Sequence, residues 1–227
     1  MLKEIIIPFI YVAAAAFAFW LVSKNRIEIR SLLKDLGITK LSIMGVEMSV
    51  DPLGQAERTR GGEINNKQLA QLAEVASRYL PGKRILWVDD EPHGNKLERA
   101  SFRALGITVV NVLGTDEALN SLKRDDFDLL ISDVGRGKDY NAGFEMLHRF
   151  NSMTPDSPAP PVILYHGTLS KAESRDQKAR ENGSIGATYY PSVLYASVFL
   201  ELLRAQPSAY CQVKTLAEKA GIRPLSR

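Results

Sequence analysis

The hydrophobic rhythm of the chain changes several times, and each change predicts a different kind of element. Ile5 to Val22 (IIIPFIYVAAAAFAFWLV) runs eighteen residues without a charge. A hydrocarbon core of about 30 Å takes about 17–25 apolar residues in a helix. The run therefore predicts a single membrane anchor over residues 1–23, with residues 5–22 as the contact with lipid. Pro8 falls in the first turn, where its missing N–H does least harm. Trp20 falls at headgroup depth. Lys24, Arg26, Arg30 and Lys34 follow the run, against Lys3 and Glu4 before it. That bias places the remainder on the cytoplasmic side of a cell inner membrane, as a single-pass protein. A cleaved signal peptide is the competing expectation, because Ala16-Phe17-Ala18 offers a small-x-small site. The apolar run continues past it to Val22, which favours a retained anchor.

Residues 24–82 read as a connector. Asn25 to Leu36 sets apolar positions among charges at helical spacing, with Gly37 as a stop. Lys40 to Val50 then alternates around Met44-Gly45, which predicts two short strands and a turn. A lone hairpin is marginal in water. Packing on the main domain is one expectation for it, and self-association into a homo-oligomer is the other. Asp51 to Asn66 (DPLGQAERTRGGEINN) is polar with three glycines and a proline, and predicts a flexible linker. Lys67 to Tyr79 returns to helical spacing and ends at Pro81-Gly82.

From Lys83 short apolar runs alternate with amphipathic stretches. Strands are expected at Ile85–Val88, Thr108–Val112, Phe127–Ser132, Pro161–Tyr165 and Ala187–Tyr190. Helices are expected at Asn95–Leu105, Thr115–Arg124 (with Thr115 as N-cap), Gly143–Asn151, Ser170–Asn182 and Ser192–Ala205. This alternation over residues 83–205 predicts an α/β fold, a doubly wound five-stranded parallel sheet preceded by the single transmembrane helix. Ligands in such sheets bind beyond the carboxyl ends of the strands. Residues 206–227 read as a C-terminal tail with one short helix at most, at Thr215–Pro224, too little for an output domain.

Composition narrows the classes. A mean hydropathy of −0.12 excludes a multi-span membrane protein. A net charge of +3 is too mild to imply nucleic acid, so none is expected as a partner. The single cysteine, Cys211, excludes an intrachain disulfide framework and a multi-cysteine zinc site. His93 and His148 stand alone, and Arg175, Lys178 and Arg180 read as a solvated helix face.

The acidic residues carry more. Asp89, Asp90 and Glu91 directly follow the first expected strand of the sheet, and Asp133 follows the third. Carboxylates gathered at one edge repel each other unless a cation joins them, and hard oxygen ligands suit Mg2+. The alternative is that they act as helix N-caps.

Three segments together resemble the receiver domain of two-component response regulators, of the chemotaxis-regulator type: ILWVDDEP at 85–92, DLLISD at 128–133 and GFEML at 143–147. The resemblance spans about residues 83–204. It implies the flavodoxin-like fold, phosphorelay signal transduction and a histidine kinase as partner. It implies Asp89 and Asp90 as Mg2+ ligands, Asp133 as ligand and phospho-acceptor, and the Gly135 carbonyl as a further ligand. The chain departs from the family at three points. His166 stands where receivers place Ser or Thr, with Thr168 two residues late. Tyr190 precedes Pro191 where receivers place Lys. Gly135-Arg136-Gly137-Lys138 replaces the usual hydrophobic-Pro step. A phosphoryl brings nearly two negative charges. Without the lysine, Arg136, Lys138 or a protonated His166 must supply the balance, and Arg136 could bind phosphate bidentately.

The expected function is a membrane-tethered signalling module whose output is protein–protein contact. The alternative is a degenerate receiver acting as a membrane adaptor or oligomerising effector. A nucleotide-cleaving enzyme of Toll/interleukin-receptor type would draw on His166, Glu91 and Glu145. Their spacing supports no nucleophile–base pair, so no catalytic residue is assigned and the chain is not expected to be an enzyme.

Overall fold

A computed structural model describes residues 40–43, 46–49, 52–62, 64–153, 159–168 and 172–225. The expected anchor at 5–22 and the amphipathic helix at 25–36 lie outside the described residues. Among the described residues no helix is long and apolar enough to cross a membrane. The chain forms two compact units, residues 1–51 and 52–227. In the first, β1 (Lys40–Ile43) pairs antiparallel with β2 (Val46–Ser49), Ile43 opposite Val46, as the alternation around Met44-Gly45 predicts.

The second unit holds a five-stranded parallel sheet of β3 (Arg84–Val88), β4 (Thr108–Val112), β5 (Leu129–Ser132), β6 (Val162–Tyr165) and β7 (Gly186–Thr188). Its order is β4-β3-β5-β6-β7, which is the flavodoxin-like arrangement, with the topological switch point between β3 and β5. The strands read as continuous apolar runs because both faces are covered. Alternate residues serve opposite faces. Ile85, Trp87, Ile131, Ile163 and Tyr165 join one core, under α3 (Lys96–Ala104) and α7 (Pro191–Leu202). Leu86, Val88, Leu130, Val162 and Leu164 join the other, under α4 (Thr115–Leu122), α5 (Ala142–Met153) and α6 (Ala172–Glu181). Trp87 centres the first core, edge-on to Tyr165 with centroids 6.0 Å apart and tilted against Phe102 at 6.2 Å. Such aromatic pairs add about 0.5–1.5 kcal/mol each beyond area burial.

Three expectations fail here. The segment 51–66 is not a flexible linker. Pro52–Thr59 forms a helix, α1, with Pro52 in its first turn, and it buries Gly54, Ala56 and Glu57. A second helix, α2 (Asn66–Ser77), begins at Asn65, whose side chain accepts the Lys67 N–H. Nor is 206–227 a tail. Pro207–Lys219 forms α8, which buries Ala209, Val213 and Ala217 at four-residue spacing. Ile222 and Leu225 then return to the core, where the Leu225 N–H donates to Ser197 Oγ at 2.9 Å. Thr115 is the first residue of α4 rather than its cap, which is Gly114.

These added helices explain α7. Eleven of its twelve residues are buried. A helix apolar on every side must be covered on every side. The sheet covers one side of α7, while α1, α2 and α8 cover the others.

Candidate functional site

Parallel pairing of β3 with β5 sets Val88 beside Ser132, so the residues that follow them emerge together at the carboxyl edge. Asp89, Asp90 and Asp133 converge there, each offering an oxygen within 4.8 Å of the others. Asp89 is buried and the other two are half-buried. Asp89 Oδ1 accepts the Glu91 N–H at 2.8 Å, and Oδ2 accepts from Asn95 Nδ2 at 2.6 Å. The Arg99 guanidinium lies 3.9 Å from the same Oδ2. Asp90 Oδ2 accepts the Gly137 N–H at 2.7 Å, which ties the loop after β5 to the loop after β3. Asp133 Oδ1 accepts the Val134 N–H at 2.7 Å. Gly143 lets α5 approach this loop closely. A Cβ there would stand 2.5 Å from the Asp133 carbonyl oxygen.

Burial first, and the charge of Asp89 second, push the Asp133 carboxyl up to about 6. The N–H groups of Val134 and Gly135 and the Arg136 guanidinium pull in the other direction. An oxygen-only donor set of mutually repelling, partly buried carboxylates fits a hard divalent cation such as Mg2+.

The other expected residues are placed less simply. Arg136 donates to Ser132 Oγ at 2.7 Å, Thr115 Oγ1 at 2.8 Å, the Ala142 carbonyl at 2.8 Å and the Asp133 carbonyl at 3.3 Å. Its guanidinium staples the loop to α4 and α5. Gly135 is half-buried, and Lys138 is exposed on the same loop. His166 is buried at the end of β6, with Nδ1 2.7 Å from the Thr168 carbonyl. That acceptor assigns the proton to Nδ1, and the buried Nε2 has no protein partner. Burial pushes the imidazole down to about 4, so of the three candidates for the positive charge His166 is the one left uncharged at neutral pH. Thr168 Oγ1 accepts from Arg175 at 3.1 Å. Tyr190 is exposed and edge-on to Tyr189, and Tyr189 stacks on His166 at 6.1 Å. Glu91 and Glu145 are exposed while His166 is buried, and among the described residues no hydrogen bond joins any two of them.

Sequence reasoning missed the residues behind the carboxylates. Arg60, in the supposed linker, donates Nη1 to the His166 carbonyl at 3.0 Å and Nη2 to Asn95 Oδ1 at 2.5 Å. Its Nε pairs with Glu98 Oε1 at 3.2 Å. Its guanidinium lies 4.5 Å from the Tyr165 ring centroid and 5.2 Å from that of Tyr189. Tyr165 donates its hydroxyl to the same Glu98 oxygen at 2.9 Å. Nearby, buried Glu57 of α1 accepts the Ser192 N–H at the start of α7, at 2.7 Å. The local signal was thin: an arginine before Gly61-Gly62, and an asparagine at a helix start.

No protein-family model matches the chain, and no curated protein matches it. Solved receiver structures are similar to it in fold. A Francisella response-regulator receiver domain is 19 % identical with a TM-score of 0.46, covering 55 % of this chain and 100 % of that one. A Vibrio cholerae chemotaxis response regulator is 21 % identical with a TM-score of 0.40, covering 56 % of this chain and 98 % of that one. A Thermotoga maritima response regulator, solved in complex with Mg2+–BeF, is 21 % identical with a TM-score of 0.42, covering 53 % of this chain and 99 % of that one.

Proposed function

We propose that the chain is a membrane-tethered receiver-type signalling module of a phosphorelay. The observation that carries this reading is the meeting of Asp89, Asp90 and Asp133 within 4.8 Å at the switch point of a flavodoxin-like sheet. In this reading Asp89, Asp90, Asp133 and the Gly135 carbonyl hold Mg2+. The ion supplies positive charge against the carboxylates and against the oxygens of an incoming phosphoryl. Asp133, oriented by the Val134 N–H, is the oxygen nucleophile that takes the phosphoryl from a histidine kinase. Residues 5–22 hold the module at the inner membrane, and output is by protein–protein contact.

A second reading has its own support. The Arg136 guanidinium is engaged below the loop, His166 is neutral, and Tyr190 occupies the lysine position. That favours a degenerate receiver, an adaptor or oligomerising effector working through constitutive contacts. Incubation with acetyl phosphate and Mg2+, read on a phosphate-affinity gel, separates the two. A retarded band that disappears in Asp133→Asn supports the phospho-switch. A wild-type chain that stays unmodified, and does not respond to beryllofluoride, supports the adaptor.

A further inference from the structure

Asn95 stands between two charged groups that fix which way its amide faces. A carboxylate can only accept and a guanidinium can only donate. With Asp89 Oδ2 at 2.6 Å on one side and Arg60 Nη2 at 2.5 Å on the other, the NH2 end must face Asp89 and the oxygen must face Arg60. Asn95 is 8 % exposed, and although it is the N-cap residue of α3 its side chain makes no cap hydrogen bond. An asparagine at that position ordinarily accepts an N–H from the first turn. Here its oxygen is given to an arginine from outside the βα repeat.

We propose that the Asn95 amide is a two-way switch coupling cation occupancy at Asp89 to the docking of α1 through Arg60. The inference rests on the cation reading above and adds a regulated element to it. With α1 docked, Arg60 holds the partial positive NH2 end of Asn95 against Asp89. A cation on Asp89 Oδ2 is repelled by that end and favours the amide turned by half a revolution, with its oxygen toward the metal. The turned amide presents NH2 to the Arg60 guanidinium, donor against donor. Arg60 then loses one of its three polar anchors, the others being Glu98 and the His166 carbonyl. The helix it holds, α1, is continuous in sequence with residues 1–51. Coupling is reciprocal, so undocking α1 tightens the cation by the factor by which the cation loosens α1.

The test uses the full-length chain in a mild detergent, with Mg2+ alone as the probe. Calorimetry reads cation binding, and hydrogen exchange reads the backbone N–H groups of α1 that follow Pro52. Couplings of this kind are commonly about fivefold or more. Saturating Mg2+ is expected to speed exchange across α1 by about that factor or more in the wild type, and to leave it unchanged in Asn95→Ala. Arg60→Lys keeps the charge but lacks the planar fork, and is expected to bind Mg2+ more tightly by a similar factor. It gives a second measure should Asn95→Ala fold poorly. Mg2+ binding with no change in α1 exchange overturns the switch and leaves the cation site standing. A response that persists in Asn95→Ala overturns the role of Asn95. Absence of Mg2+ binding overturns the cation site, and the switch with it.

Discussion

Replacing Arg60 by alanine strips several contacts from one point. It removes the 3.2 Å pair with Glu98, the donors to the His166 carbonyl and Asn95, and the face contact with Tyr165. The largest consequence falls on Glu98, whose side chain is 3 % exposed and would keep only the Tyr165 hydroxyl as its close polar partner among these groups. Breaking a buried pair from one side costs about 3–5 kcal/mol, because an uncompensated charge stays behind. With a urea slope of about 1–3 kcal/mol/M, that lowers the unfolding midpoint by at least about 1 M. Glu98→Gln in the same background identifies the cause. If the residual charge dominates, the double variant recovers a substantial part of the loss, and the cycle gives an interaction energy above about 1 kcal/mol. Urea unfolding of the four proteins, followed by Trp fluorescence and circular dichroism, provides the numbers. A loss below about 1 kcal/mol for Arg60→Ala, or additive single effects, would refute the view that Arg60 is a buried anchor and not a decoration of a loop.

Two further outcomes follow from the same geometry. The Asp133 carboxyl is raised from 3.8 to about 6 in the fold, so the folded protein holds the proton more tightly than the unfolded chain. Its ionisation therefore destabilises the fold progressively as pH rises from about 4 through about 6. Asp133→Asn is expected to stabilise the fold at pH 7–8 by about 1–3 kcal/mol at most, read as a higher melting temperature, and to leave stability unchanged below pH 4; a flat difference across pH counts against the assignment. Glu57 is held above the usual carboxylate range by burial while accepting the Ser192 N–H. Glu57→Gln keeps an acceptor without the charge and is expected to be near neutral at pH 7, whereas Glu57→Ala leaves a buried N–H unpaired at about 1–3 kcal/mol, both read by chemical denaturation.

The sheet was legible because its strands are buried on both faces and announce themselves as unbroken apolar runs such as Ile85–Val88 and Leu129–Ile131. The carboxylates were legible for a related reason: Asp89, Asp90 and Asp133 stand where those runs stop. Strand order had no local signature, since it is decided by how crossovers pack. The segment 52–59 misled because its buried residues are Pro52, Gly54, Ala56 and Glu57, a proline with small and charged residues that show no apolar period. The C-terminal helix misled likewise, docking through Ala209, Val213 and Ala217. Arg60 was invisible because its partner carbonyl, that of His166, lies 106 residues away. His166 was legible as a polar residue at a strand end, but its protonation was not, because burial decides it.

The envelopment of α7 has a practical consequence for handling the molecule. Segments from both sides of the βα repeat, 52–77 and 207–225, meet over the same helix. A fragment trimmed to residues 83–205 would carry every strand of the parallel sheet and every pocket carboxylate, yet present the flanks of α7 to water as a continuous greasy ridge. Such a fragment would aggregate, whereas one spanning 52–225 keeps the ridge sealed. The smallest self-sufficient piece of this protein is therefore set by what wraps the last helix of the sheet and not by the sheet.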